Sequence, residues 1–143
     1  MKKILALSVL MLAIVTGCNV KHDVISDSKN AFAVLKQGEY GGRETESYEV
    51  LRSQEELDVI FREMNLEKAP AVNFAENNVV VLFLGQKNSG GNNIGVKSVQ
   101  FNGNTATVNV EKTTPQEGGM VTMAITNPYC IVALSKTEKV VVK

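Results

Sequence analysis

The sequence has no tryptophan, few aromatic residues, two cysteines and a single histidine. Each scarcity removes a kind of chemistry. A zinc site draws on several histidine or cysteine ligands, and this chain cannot supply them. The one histidine, His22, lies in a polar stretch near the N-terminus, away from any patterned segment, which leaves no base for a Ser-His or Cys-His nucleophile pair. Neither H-E-x-x-H nor G-x-S-x-G occurs, and the acidic residues show no calcium-loop pattern. Basic and acidic residues are equal in number, so the footprint of a nucleic-acid binder is missing. The core must be built from Val, Ile, Leu and Met. Taken together, these features argue against an enzyme and against a bound metal or cofactor.

What is present begins with the leader. Met1, Lys2 and Lys3 precede a twelve-residue apolar run, Ile4 to Val15, which ends in Thr16-Gly17-Cys18. A helix spanning a bilayer needs roughly 20 apolar residues, so the run has the size of a secretory h-region instead. Small residues followed directly by cysteine match a bacterial lipobox, which implies cleavage before Cys18 and acylation of its thiol. Removing the first 17 of 143 residues leaves 126, with two more acidic than basic groups. One acyl chain binds a membrane only marginally and several hold firmly. The expected location is the bacterial cell envelope, at the outer membrane in a Gram-negative host. With Cys18 lipidated, Cys130 has no intrachain partner; its apolar setting in "NPYCIVAL" reads as a buried hydrophobe.

The chain divides into a signal peptide (1–17), a lipidated N-terminus and tether (18–37) and one β domain (38–143). Within "AFAVLKQGEYGG" a first strand fits ahead of the Gly41-Gly42 pair. One helix is well marked: Ser53 stands at the cap position, Glu56 completes a capping box, and Leu57, Ile60, Phe61 and Met64 form one apolar stripe. Glu55, Asp58, Arg62 and Glu63 make its solvated side. Beyond it, "VVVLFLG" reads as a central strand covered on both faces. "NIGVKSVQF" and "TATVNVEK" form a hairpin about Asn102-Gly103-Asn104. "MVTMAI", "YCIVAL" and "KVVVK" read as three more strands. The expected fold is mostly β (α+β): an antiparallel sheet or sandwich of about six to eight short strands, with the helix packed on it as a two-layer structure.

The glycine-rich loop after the central strand, "GQKNSGGNN", invites comparison with a phosphate loop. Gly85 and Gly90 have the spacing of G-x-x-x-x-G-K-[ST], but Gly91 and Asn92 stand where the lysine and hydroxyl belong. A strand, not a helix N-terminus, follows. The loop is not a phosphate cradle. As a tight turn it needs no further role; as a surface presented by a rigid scaffold it can carry function.

Three stretches in order, "SYEVLRSQEELDVIFREMN", "NNVVVLFLGQKNSGGNNIGVKSV" and "TVNVEKTTPQEGGMVTMAITNPYCIVALSKT", resemble the C-terminal domain of the protease-complex subunit PrcB family. The resemblance runs from about Gly41 to Lys143. It is carried most specifically by Phe83-Leu84-Gly85, Ser89-Gly90-Gly91, Thr114-Pro115 and Asn127-Pro128-Tyr129. It implies a non-catalytic, often lipid-anchored accessory that accompanies and stabilises a surface protease. The family turn often has an aromatic after the two glycines, where this chain has Asn92. On this reading a partner protein, with a protease as one candidate, meets a rim formed by Asn88, Ser89, Gly90, Gly91 and Asn92, with Tyr129 as the anchoring side chain. Two alternatives stand beside it: a protease inhibitor that wedges Gly-rich loops into an active-site cleft, and a surface glycan-binding module, for which aromatic platforms are scarce.

The lipid anchor has a direct test. Cys18→Ala should move the protein from the membrane fraction to the soluble fraction of lysed cells, and unchanged fractionation would remove the assignment.

Overall fold

The computed structural model of the protein describes residues 31–143. The signal segment, Cys18, His22 and the first part of the tether lie outside the described residues. Seven strands and one helix follow in chain order: β1 (Phe32–Gly38), β2 (Ser47–Leu51), α1 (Gln54–Glu63), β3 (Asn77–Phe83), β4 (Asn93–Asn102), β5 (Thr105–Thr113), β6 (Tyr129–Ser135) and β7 (Lys139–Val142).

The strands form a four-stranded sheet of order β1-β6-β3-β2 and a three-stranded sheet of order β4-β5-β7. Every pairing is antiparallel except β5 with β7. β3 and β6 occupy the centre of the larger sheet, and all but their outermost residues are buried. Their continuous apolar runs are explained by what covers each face. Side chains alternate along a strand, so Val79, Val81, Phe83, Tyr129, Ile131 and Ala133 face α1, meeting Leu57, Ile60, Phe61 and Met64. Val80, Leu82, Cys130, Val132 and Leu134 face the smaller sheet, meeting Ile94, Val99, Ala106 and Val108.

The molecule is therefore mostly β with one helix, as expected, but the layering differs. The expectation of two layers is corrected to three, helix on sheet on sheet. Alternation within β5 buries Ala106 and Val108 in the inter-sheet core, which gives the smaller sheet one apolar face and one solvated face.

Two strand assignments also change. "MVTMAI" is not a strand: between Gly118 and Ile125 the chain has no regular ladder partner, only the single Lys87–Thr126 bridge at its end. Its place in the count is taken by β2, which pairs with β3 from Ser47↔Phe83 to Leu51↔Val79. The domain boundary moves as well. Residues 32–37, given to the tether, are paired with β6 from Phe32↔Leu134 to Gln37↔Cys130, because the apolar edge of β6 needs a partner there.

The helix follows its signals closely. Ser53 Oγ accepts the Glu56 N–H at 3.3 Å, while the Glu56 carboxylate accepts the N–H of Arg52 at 2.6 Å, one residue before the cap. At the other end Asn65 takes a left-handed conformation (φ 53°). The N–H groups of Leu66 and Asn65 reach back to the carbonyls of Phe61 and Arg62 at 2.8 and 3.1 Å, the double bond of a Schellman ending.

Burial sets the expected costs. Ile131, fully buried between β3 and α1, should lose about 2–5 kcal/mol on Ile131→Ala through transfer and cavity terms. Phe101→Ala, at a side chain 42% exposed near the hairpin tip, should change stability by much less. Urea titration of the two variants checks the contrast.

Candidate partner-binding rim

The register of β3 against β6 decides what the glycine loop touches. Leu82 pairs with Cys130 and Phe83 with Tyr129, so the chain leaving β3 must run beside the chain entering β6. The bonds continue past the strands. Leu84 N–H donates to Pro128 O at 2.9 Å, and Lys87 and Thr126 exchange N–H···O bonds at 2.8 and 2.9 Å. Further out, Gly90 N–H donates to Thr122 O at 2.9 Å, and the Thr126 hydroxyl donates to Ser89 O at 2.9 Å. Asn92 Nδ2 closes the turn on Ser89 O at 2.9 Å. A loop that reads as floppy is clasped along its length by the segment before β6.

Glycine is required here for two distinct reasons. Gly91 has φ +79°, and a Cβ there would come to 3.1 Å from Pro115 Cγ, so the turn and the neighbouring Pro115 loop are packed together. Gly42 meets the other end of the clasp: its N–H donates to Asn127 O at 2.9 Å, and an added Cβ would lie 2.5 Å from that same oxygen. Side-chain bulk at Gly42 would push Asn127-Pro128 out of place.

The sequence-derived site residues are thus brought together, but not all of them reach a partner. Asn88 and Gly91 are exposed and Ser89 is half-buried. Gly90 and Asn92 are buried, and Asn92 spends its amide on Ser89. Tyr129 is not an anchor at all. It is 2% exposed and belongs to the core beneath α1, where its ring fills the space over Gly38. Burial pushes its phenol above the ordinary value. The reason is parity: the first residue of β6 falls on the helix face of a sheet that is covered on both faces.

The apolar surface lies instead on the segment that failed to become a strand. Met120, Met123 and Ile125 are exposed, Met123 at 91%, and Val121 is partly so. Thr122 faces Gly90 and Thr126 is buried under Ser89. Thr126 turns inward, while Thr122 is exposed but lies against Gly90, and the apolar residues stand outward. The alternation of "VTMAIT" reads in sequence as a strand, which says nothing of whether its apolar side faces a core or solvent.

The thiol of Cys130 is not activated. Burial raises the Cys130 thiol to about 11, so it stays protonated at neutral pH. Nor do the described residues contain a group of His, Cys, Asp and Glu able to hold a metal ion. Next to Gly42, Arg43 donates to Glu63 at 2.9 and 3.1 Å and to Glu49 at 2.6 Å, and stacks 4.7 Å from the centre of the Phe83 ring. These bonds hold the Glu63 carboxyl below its usual range.

Comparison with known proteins fits this geometry. Residues 78–135 match the model of a protein family described as PrcB C-terminal. That stretch belongs to the PrcB C-terminal family. It runs from the second residue of β3 to the end of β6, so the PrcB C-terminal segment contains the central strand pair, the β4–β5 hairpin and both halves of the clasp. β1, β2, α1 and β7 lie outside the match. No curated protein and no solved structure matches the chain.

Inertness of the core thiol is measurable. In a Cys18→Ala chain, Cys130 should react with a thiol reagent at least a hundredfold more slowly in the native state than in urea; comparable rates would show that the β3–β6 core is open.

Proposed function

We propose that this protein is a non-enzymatic, lipid-anchored envelope accessory whose domain binds a partner protein through the clasped rim. One observation carries the reading: Met120, Val121, Met123 and Ile125 project from a segment fixed from behind by backbone bonds to the glycine loop. Contiguous apolar patches of this kind mark interaction sites on soluble domains. Methionine adapts its shape to a partner at little cost, and the clasp limits the entropy lost on binding. Asn88 and Gly91 supply the polar edge, with Ser89 behind them. The PrcB family match favours an association with a protease complex, and the lipobox at Cys18 supplies the membrane attachment. The inhibitor alternative is weaker on geometry, because Gly90 is buried and the glycine loop does not project as a wedge.

Each buried apolar side chain of this size is worth about 1.5–3 kcal/mol, so three together dominate such a contact. Photo-methionine incorporated in native cells should crosslink the protein to a defined envelope partner. The Met120→Ser, Met123→Ser, Ile125→Ser variant should recover that partner at least tenfold less well in pull-down, with unchanged circular dichroism. Equal recovery would remove the rim from the contact. If the partner is a protease, its activity should hold or rise with the wild-type protein present; a fall would favour the inhibitor reading.

A further inference from the structure

A second surface stands apart from the rim, at the free edge of β2. Nothing among the described residues pairs with its outer side. Leu84 N–H donates to Pro128 O, so by the two-residue alternation the even residues of β3 bond β6 and the odd ones bond β2. The β2 partners of those odd residues are Ser47, Glu49 and Leu51. Tyr48 and Val50 therefore aim their backbone N–H and C=O outward.

Edge strands are normally guarded against pairing, and the other three here are. β1 carries a bulge between Val34 and Lys36. β4 carries one between Val96 and Ser98, with Lys97 at the bulge. β7 has four residues and begins with Lys139. β2 has a regular register, with neither bulge, proline nor lysine.

Each face of that open edge borders a groove. On the helix side, a groove of about 560 Å³ lies between β2 and α1, floored by Leu51, Ile60 and the half-exposed Val59 and flanked by Glu49, Glu55 and Glu63. Arg43 is the one basic residue lining it. On the other side, a groove of about 440 Å³ opens between the sheets, lined by Tyr48, Ile94, Val110 and Val142 together with Glu46, Lys112 and Lys143. A strand added to β2 would direct alternate side chains into an acidic groove and into a mainly apolar one that also holds Glu46, Lys112 and Lys143.

We infer that the β2 edge binds an extended segment of a partner protein that alternates lysine or arginine with apolar residues. The mode is strand addition, in which the backbone supplies affinity and alternate pockets supply specificity. Charge selects this occupant over a second copy of the chain: two β2 edges brought together would also bring together two carboxylate-rich grooves.

The test uses the full-length chain in non-ionic detergent micelles and a synthetic heptapeptide that alternates lysine and valine, beginning and ending with lysine. The backbone amides of Tyr48 and Val50 should gain at least tenfold protection from hydrogen exchange, and binding should weaken as salt rises. A glutamate–valine heptapeptide, and a lysine–valine one with proline at its centre, should bind at least tenfold more weakly. Val50→Pro, which removes an outward donor, should weaken binding by the same factor. Glu55→Lys combined with Val59→Lys, two exposed positions outside core and cap, should do so without touching the sheet. The assignment is overturned by absent protection, by equal binding of the glutamate peptide, or by unchanged binding of the double variant. A concentration-dependent dimer abolished by Val50→Pro would also overturn it, giving the edge to a second copy.

Discussion

The antiparallel pairing of β3 with β6 is the constraint on which the rest depends. It places two strands with buried apolar side chains at the centre of a sheet, and both faces of that pair must be covered. One cover is α1, with its stripe of Leu57, Ile60, Phe61 and Met64; the other is the smaller sheet. Losing either cover would expose a row of valine, leucine and phenylalanine to water, at roughly 25 cal/mol for each Å² of apolar surface. The three-layer arrangement is the cheapest way to hide a strand pair that is hydrophobic on both sides.

The same register builds the rim. Because Phe83 lies opposite Tyr129, residues 84–92 and 114–128 leave the sheet side by side and continue to bond through Pro128, Thr126 and Thr122. Two loops that would each be mobile alone share backbone bonds and become one presented surface. Met120, Met123 and Ile125 are exposed on a segment whose Thr122 carbonyl and Thr126 backbone and hydroxyl are bonded to the glycine loop. A strand-like sequence with no second strand to complete it becomes an exposed apolar strip.

Arg43 ties a different part of the molecule together. It joins the connection after β1 to β2 through Glu49, to α1 through Glu63, and to the core through the Phe83 ring. The Arg43, Glu49 and Glu63 side chains are about one-third to one-half exposed, so solvent screens the ion pairs and they add only modestly to stability by themselves. Their effect is positional, since they seat the helix beside β2 and so shape the groove at its edge. The charge state follows simply. Glu63 titrates below the usual carboxylate range, so the pairing is complete above that range and is lost only as pH falls through the lowered value.

Much of this was legible in the residues themselves. The cap and stripe of α1, the buried run of β3, the β4–β5 hairpin and the buried state of Cys130 all follow from local rules, and the structure has each of them. What could not be read was decided by pairing over distance. β2 carries a weak pattern of its own and is a strand because β3 offers it an edge, whereas "MVTMAI" carries a strong one and yet joins no sheet, being tied to the glycine loop at Thr122 and Thr126. Tyr129 looks like an interface residue in sequence, yet its side of the sheet is fixed by a register set one strand away. The sequence by itself determined which segments are apolar and where the helix starts and stops, since those depend on neighbours within a few residues. Only the tertiary structure decided which apolar residues are core and which are surface, because that depends on which distant segments the strand pairing brings together.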